Sequence, residues 1–342
     1  MTASKSVTII GGGLAGLSLG IALRKAEVPT EIVEAGEYPR HRVCGEFITG
    51  LKDETIEKLG IQAAFIGCGS HREVTWHLRE HVIGHQVLPS PARAISRFAL
   101  DARLAEIFVA GGGKLTLRTR FKPTRFEPGV VRTTGRKPNG ASPWIGLKLH
   151  ARNLATAGEL EFFLGDGAYV GQSSVEDGWI NVCGLFRKRP GLQFDREEAL
   201  PAYLRISGLN TLADRITAAE IRTRSRSAVT GFTFDRHVTG KDGVRLGDAC
   251  ATIPPFTGNG MAMAFISAAL AVDPLVAWAR GERLWEDITR SIHEALRHEF
   301  RLRLACASFL HPFLLNCSLQ RGLGCTMDAG LLPTTTLYRL LH

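Results

Sequence analysis

No CxxC pair, internal repeat or low-complexity tract occurs in this 342-residue sequence. Its seven cysteines (Cys44, Cys68, Cys183, Cys250, Cys306, Cys317 and Cys325) are scattered and odd in number, which argues against a disulfide framework. With no signal peptide ahead of the first strand, the expectation is reduced thiols in a cytoplasmic protein. No apolar run reaches the roughly 18 to 20 residues that cross a bilayer. The longest candidate, Leu304 to Leu315, contains His311 and Pro312. His71, His77, His81 and His85 lack metal-ligand spacing, and no Ser/His/Asp order stands out, so no metal site is expected. The net charge of +9 is spread along the chain and no nucleic-acid motif accompanies it. Nucleic acid is therefore excluded as a partner, and an anionic membrane surface or an anionic substrate stays open.

What is present begins almost at once. The apolar run Val7 to Ile10 leads into Gly11-Gly12-Gly13, then Gly16, then an Ala/Leu-rich helical stretch from Leu14 to about Lys25. Strand, Gly-x-Gly-x-x-Gly turn and helix form the context in which this pattern signals dinucleotide binding. Gly11 permits the tight turn, Gly13 lets a pyrophosphate approach the backbone, and Gly16 allows close helix–strand packing. The uncapped helix N-terminus then faces the phosphates. An acid is expected about 20 residues on, and Glu34 supplies it at the end of a second strand. Glu34 rather than an arginine suits a free ribose 2′-hydroxyl, hence FAD or NAD more than NADP.

Two further signatures follow. Residues 95–115 hold helically spaced apolar positions with Arg97 at the helix start, and Gly111 to Gly113 read as its stop. Residues 243–272 give a short strand, Gly247-Asp248, a Pro- and Gly-rich loop and a long helix opening at Gly258-Asn259-Gly260. A carboxylate at a strand end and a helix N-terminus suit hydroxyls and an anion respectively.

Together the three motifs resemble the FAD-dependent p-hydroxybenzoate hydroxylase-like superfamily, which also holds geranylgeranyl reductases and flavin halogenases. The likeness runs in order over residues 6 to about 280, and "RVCGEF" (42–47) resembles the Cys-Gly segment of the geranylgeranyl reductase branch. The resemblance implies that Gly11, Gly13, Leu14, Ala15, Gly16, Glu34 and Ala35 hold the ADP half of FAD. Arg97 would meet the pyrophosphate, with Arg42 also on the cofactor, and Gly247 with Asp248 the ribityl and phosphate region. Pro255, Gly258, Asn259 and Gly260 would border the isoalloxazine, and Cys44 and Glu46 would face flavin or substrate as the catalytic pair. The chain departs from its relatives at Thr134-Gly135-Arg136-Lys137, where many carry an Asp-Gly element touching the nicotinamide donor. Use of NADH or NADPH as electron donor therefore stays open.

The fold expected is α/β: a Rossmann-like FAD-binding domain (1–70, 93–145 and 235–280), an inserted antiparallel sheet for substrate (71–92 and 146–234) and a C-terminal helical segment (281–342). One face of the sheet is expected to cover the flavin and the other to see solvent. Trp76, Phe162, Phe163, Tyr169, Trp179 and Phe186 are candidates for an apolar pocket or plain core. The C-terminal segment reads either as a cover over that pocket or as a basic, apolar stripe for transient contact with a membrane surface. The function expected is an FAD-dependent oxidoreductase of an apolar small molecule, foremost a monooxygenase working through a flavin hydroperoxide. The alternatives are a reductase or dehydrogenase of carbon–carbon bonds and, from another class, a non-catalytic FAD-stabilised binding protein.

Overall fold

The computed structural model describes residues 4–121, 127–189, 191, 195–235, 237–238, 243–331 and 333–342. A five-stranded parallel sheet runs in the order Val244–Arg245, Val130–Arg132, Val7–Ile10, Thr30–Val33, Lys114–Thr116. Val7, Ile9, Ile32, Val131 and Val244 in these strands are buried, whereas Glu31, Lys114, Arg132 and Arg245 beside them are partly or fully exposed. The helices Leu14–Lys25, Arg97–Ala110 and Asn259–Ala279 pack together beside it. The strand after Val7–Ile10 in sequence lies on one side of it, and Val130–Arg132 lies on the other. That reversal opens a crevice at the carboxyl end of Val7–Ile10, where open α/β sheets bind their ligands. Ser96 caps the Arg97–Ala110 helix by accepting from the Ala99 N–H (3.0 Å), and Gly111 follows its end.

The second sheet is larger: Glu220–Ile221, Trp144–Arg152, Ile180–Arg187, Ala168–Ser174, Leu160–Gly165, Gly69–Leu78, His81–Ala94 and Phe47–Ile48, with Ser227–Thr230 also on Trp144–Arg152. It departs from the antiparallel expectation at one place. Gly69–Leu78 and Leu160–Gly165 run parallel, Val74 opposite Leu160, because the chain leaves the sheet after Ala94 and re-enters from its other side. The solvent-facing expectation is also corrected. Helices Ala199–Ile206 and Asn210–Ala218 cover one face and bury a second core that includes Leu149, Phe163, Val182, Phe186 and Leu204.

The absence of a bilayer-length apolar run is likewise corrected. Asn259–Ala279 is long and apolar enough to cross a membrane, but it packs against Leu14–Lys25, Asp53–Leu59 and Trp285–Leu310, with 61% of its apolar window buried. It is apolar all round because helices surround it. The chain ends in helices Trp285–Leu310, Cys317–Asp328 and Thr334–Leu341, the last two lying against the His81–Ala94 strand.

Candidate active site

The crevice at the parallel sheet's carboxyl end is a cavity of about 640 Å³. Its floor is the glycine turn, and three glycines there do three different jobs. Gly11 has φ +108°, and a Cβ on it would lie 2.5 Å from the Thr133 carbonyl oxygen. At Gly16, behind the wall, a Cβ would lie 2.1 Å from the Gly11 carbonyl oxygen, so the helix packs on its own turn. Nothing lies within 4 Å of a Cβ at Gly13, which leaves its backbone open to the cleft. No side chain caps the helix that starts at Leu14, so its first N–H groups are free to hold an anion. Leu14 and Ala15 complete this part of the wall.

Glu34 and Ala35 line the same end. The Glu34 carboxylate accepts from Gly12 N–H on Oε2 (2.7 Å), and from Gly36 N–H (2.8 Å) and Arg40 (2.6 Å) on Oε1. Burial works to raise its pKa, but Arg40 and the two backbone donors hold it below the ordinary carboxylate range. Oε2 keeps acceptor capacity for a hydroxyl.

Arg42 and Arg97 both line the cleft and share one fully buried carboxylate. Arg97 binds Asp101 with two bonds (2.7 and 2.8 Å), and Arg42 adds a third (3.1 Å). Two guanidinium groups around one acid leave net positive charge facing the cavity, which suits a pyrophosphate. Asp101 was not singled out from sequence as a partner, although its i,i+4 spacing from Arg97 was a readable signal.

On the opposite wall lie Gly247, Asp248, Pro255, Gly258 and Gly260. Gly247 has φ +59°, and its N–H donates to Ser267 Oγ (2.9 Å). Surrounding protein raises the Asp248 carboxyl pKa, with Arg97 and Arg136 pulling it back. Asn259 is placed differently from expectation. Its buried side chain donates to the Leu341 carbonyl (2.6 Å), tying the helix start to the C-terminal helix, and it is not on the cleft wall.

The Cys44–Glu46 segment divides in the same way. Cys44 and Gly45 line the cleft, and burial raises the Cys44 thiol pKa, which keeps it protonated. Glu46 lies behind them, fully buried, with φ +59° turning its side chain away from the cavity. Its carboxylate accepts from Lys148 Nζ (2.5 Å), Arg97 N–H (2.8 Å) and His150 Nε2 (2.6 Å). Burial alone would raise its pKa, but Lys148 and His150 bring it down to about 2. Asn181, paired with His150 across neighbouring strands, donates to the carbonyls of Cys44 (3.0 Å) and Gly45 (2.8 Å). Lys148, His150 and Asn181 thus clamp the segment from the sheet. The polar pair Lys148/His150 in an otherwise apolar strand was the sequence signal for it.

Thr133, Thr134, Gly135 and Arg136 also line the cleft; Arg136 donates to the Gly231 carbonyl (2.7 Å) and covers the Phe232 ring. Lys137 does not line it.

A second cavity, of about 580 Å³, lies between the large sheet and the C-terminal helices. Trp76 and Phe162 line it, stacked at 4.9 Å, and Phe313, Leu323, Leu337 and Leu341 close it from the other side. Of the other candidate aromatics, Phe163 and Phe186 belong to the second core, Tyr169 is buried in the first, and Trp179 lies under the Arg152 guanidinium (4.1 Å). Among the described residues no cluster fit for a metal occurs.

No family model matches the chain. It is similar to a menaquinone reductase of Mycolicibacterium smegmatis, 23% identical over 131 residues, which is 35% of this chain and 30% of that protein. The chain therefore aligns with under a third of that relative's length. Among solved structures it resembles HpxO of Klebsiella pneumoniae complexed with FAD and uric acid, with a TM-score of 0.76, 14% identity, and 98% and 96% of the two chains covered. It also resembles p-nitrophenol 4-monooxygenase PnpA of Pseudomonas putida, with a TM-score of 0.75, 12% identity, and 100% and 97% covered. Over nearly its whole length the chain shares the fold of these two solved structures, an α/β fold of the kind expected from its three motifs.

Proposed function

We propose that the chain is an FAD-dependent oxidoreductase of an apolar small molecule. The observation that carries this is the cleft itself: an uncapped helix N-terminus, an open Gly13, a guanidinium pair and Glu34, laid out along one cavity and adjoining a second, apolar one. Those groups fit the adenosine and pyrophosphate of FAD, with Asp248 toward the ribityl chain and Cys44, Gly45, Pro255 and Gly258 around the ring system. When bound, FAD supplies the redox chemistry, while the chain holds it, excludes water and presents the substrate.

Of the two reactions, we put monooxygenation first, in keeping with the fold shared with p-nitrophenol 4-monooxygenase. Cys44 on the cleft wall and the likeness to a menaquinone reductase favour the second reading, reduction of a carbon–carbon bond. The test is reduction by NADH and by NADPH without oxygen, followed by admission of labelled oxygen with candidate apolar substrates. Label in the product supports the first reading, and unlabelled product two hydrogens heavier supports the second. A colourless protein that FAD cannot reconstitute sinks both. Exposed Leu302, Phe309 and Leu331, with Arg297, Arg301 and Arg321 exposed along the same segment, support transient contact with an anionic bilayer. Sedimentation with anionic vesicles, lost at high salt, checks that contact.

A further inference from the structure

We propose that Phe47 is a gate between the cofactor cleft and the apolar chamber, closed in this structure and displaced when cofactor and substrate react. The inference rests on the functional reading above. Among the described residues, Phe47 is the one that lines both cavities. The residue is 5% exposed, and its ring meets Phe162, on the chamber side, edge-on at 5.7 Å.

On the cleft side the ring sits against glycine. A Cβ on Gly45 would come within 2.8 Å of the ring, and one on Gly258 within 2.3 Å. Both glycines border the cleft, so the wall is cut back to bare backbone where the ring stands. The backbone around it is held. Phe47 pairs with Ala94 in the sheet, and Thr49 donates through its hydroxyl to the Thr257 carbonyl (2.8 Å). Opening therefore takes a side-chain rotation and no movement of the strand. The chamber beside Phe162 is the space into which the ring can turn.

Distance makes the gate necessary. Reacting atoms must approach to about 3–3.5 Å. A ring standing between two groups holds them two van der Waals contacts apart, about 7 Å. With Phe47 in place, a molecule in the chamber and the cofactor in the cleft cannot react. A substrate that fills the chamber and moves the ring gains access, so the gate selects on shape as well as on apolarity.

The test measures binding alone, with FAD and dodecanol as ligands of the full chain. Dodecanol is read by its displacement of aminoanthracene from the chamber. In the wild type, saturating dodecanol should change the FAD Kd by less than about twofold. In Phe47→Ala the cavities join, and dodecanol should shift the FAD Kd by at least about fivefold, with FAD shifting dodecanol by the same factor. Phe47→Trp should restore the uncoupled behaviour. Phe47→Leu, expected between the two, serves where the alanine variant folds poorly. Equal coupling in wild type, Leu and Trp variants overturns the gate. FAD binding without any dodecanol binding also overturns it, because no chamber then exists to be closed off. Failure of every variant and the wild type to bind FAD overturns the functional reading instead.

Discussion

The two cavities were built from different kinds of information. The glycine-floored cleft is made of turns and helix ends, each specified within a few residues: a glycine spacing, an acid at a strand end, an Arg-x-x-x-Asp pair on one helix turn. The apolar chamber is made of faces, strand residues near 76 and 162 on one side and helices after 309 on the other. No local pattern says that those faces meet. Polar recognition needs particular atoms at particular distances, whereas an apolar chamber needs only surface of roughly the right volume. Substitutions in the cleft should therefore act sharply and differ between neighbours, and those around the chamber should act gradually.

The sharpest break is expected within the glycine turn. Gly16→Ala drives a Cβ into the Gly11 carbonyl oxygen at 2.1 Å, backbone against backbone. Overpacking of this kind costs about 1–3 kcal/mol, and the turn proposed to hold phosphate moves with it. Loss of bound FAD and a melting temperature lower by several degrees are expected. Gly13→Ala, three positions earlier with nothing within 4 Å, should leave melting unchanged and weaken FAD alone. Equal melting losses at both positions would erase the distinction between packing and approach.

Lys148→Met is expected to cost more stability than Gly16→Ala, but it leaves the glycine turn in place. It leaves the Glu46 carboxylate buried without its full counter-charge, a loss of roughly 3–5 kcal/mol by analogy with other broken buried pairs. Removing both charges, Glu46→Gln with Lys148→Met, should recover most of it. The pH dependence follows from the Glu46 pKa of about 2, below the ordinary 4.5. Its contribution is complete above about 4.5 and fades as pH falls toward 2. Thermal melts from neutral to acid pH should show that limb in the wild type and its absence in the double variant.

Asp248→Ala tests the cleft's far wall with a smaller effect. A hydrogen bond to a charged group contributes about 1.5–3 kcal/mol, so FAD affinity should fall at least tenfold while melting stays near that of the wild type. Unchanged affinity in a fluorescence titration would reduce Asp248 to a turn residue.

These residues also mark how far the sequence could be read. That Gly11, Glu34, Arg97 and Asp248 share one cleft was legible because their positions follow from spacing along one strand, turn or helix. Cys44 and Glu46 looked like a pair, and the left-handed turn at Glu46 separates them, one toward the cleft and one into the sheet. Arg42 joins Asp101 from 59 positions away, which no periodicity encodes. Asn259 reads as part of a helix N-terminus yet reaches back to Leu341, a contact set by where the chain ends up rather than by its own neighbourhood. The large sheet's hairpins were visible from their Gly-Asp-Gly and Asp-Gly turns. The parallel pairing of Gly69–Leu78 with Leu160–Gly165 was not, because strand direction there depends on the excursion through residues 95–143.

The smallest effect expected lies at the chamber's edge. His342 ends the chain there, stacked on Tyr338 at 3.9 Å and packed on Gly50. Its Nδ1 faces the Tyr338 carbonyl (2.7 Å) and so carries the proton, and Nε2 lies beside the Thr49 hydroxyl (2.7 Å). Burial lowers its pKa to about 4, against an ordinary 6.5. The folded contact therefore needs the neutral ring: it is complete above pH 6.5 and weakens as pH falls from 6.5 toward 4. Acidification should loosen the Thr334–Leu341 helix and lower the chamber's affinity for dodecanol by a few fold, while the FAD cleft is spared. His342→Gln should flatten that dependence. His311, also brought to about 4 by burial, sits among Tyr169, Phe234 and Phe256 and titrates in the same window. Dodecanol titrations of His342→Gln and His311→Gln across this range separate the two. A pH dependence that survives in His342→Gln and disappears in His311→Gln would move the closure from the chain's end to the turn after Trp285–Leu310.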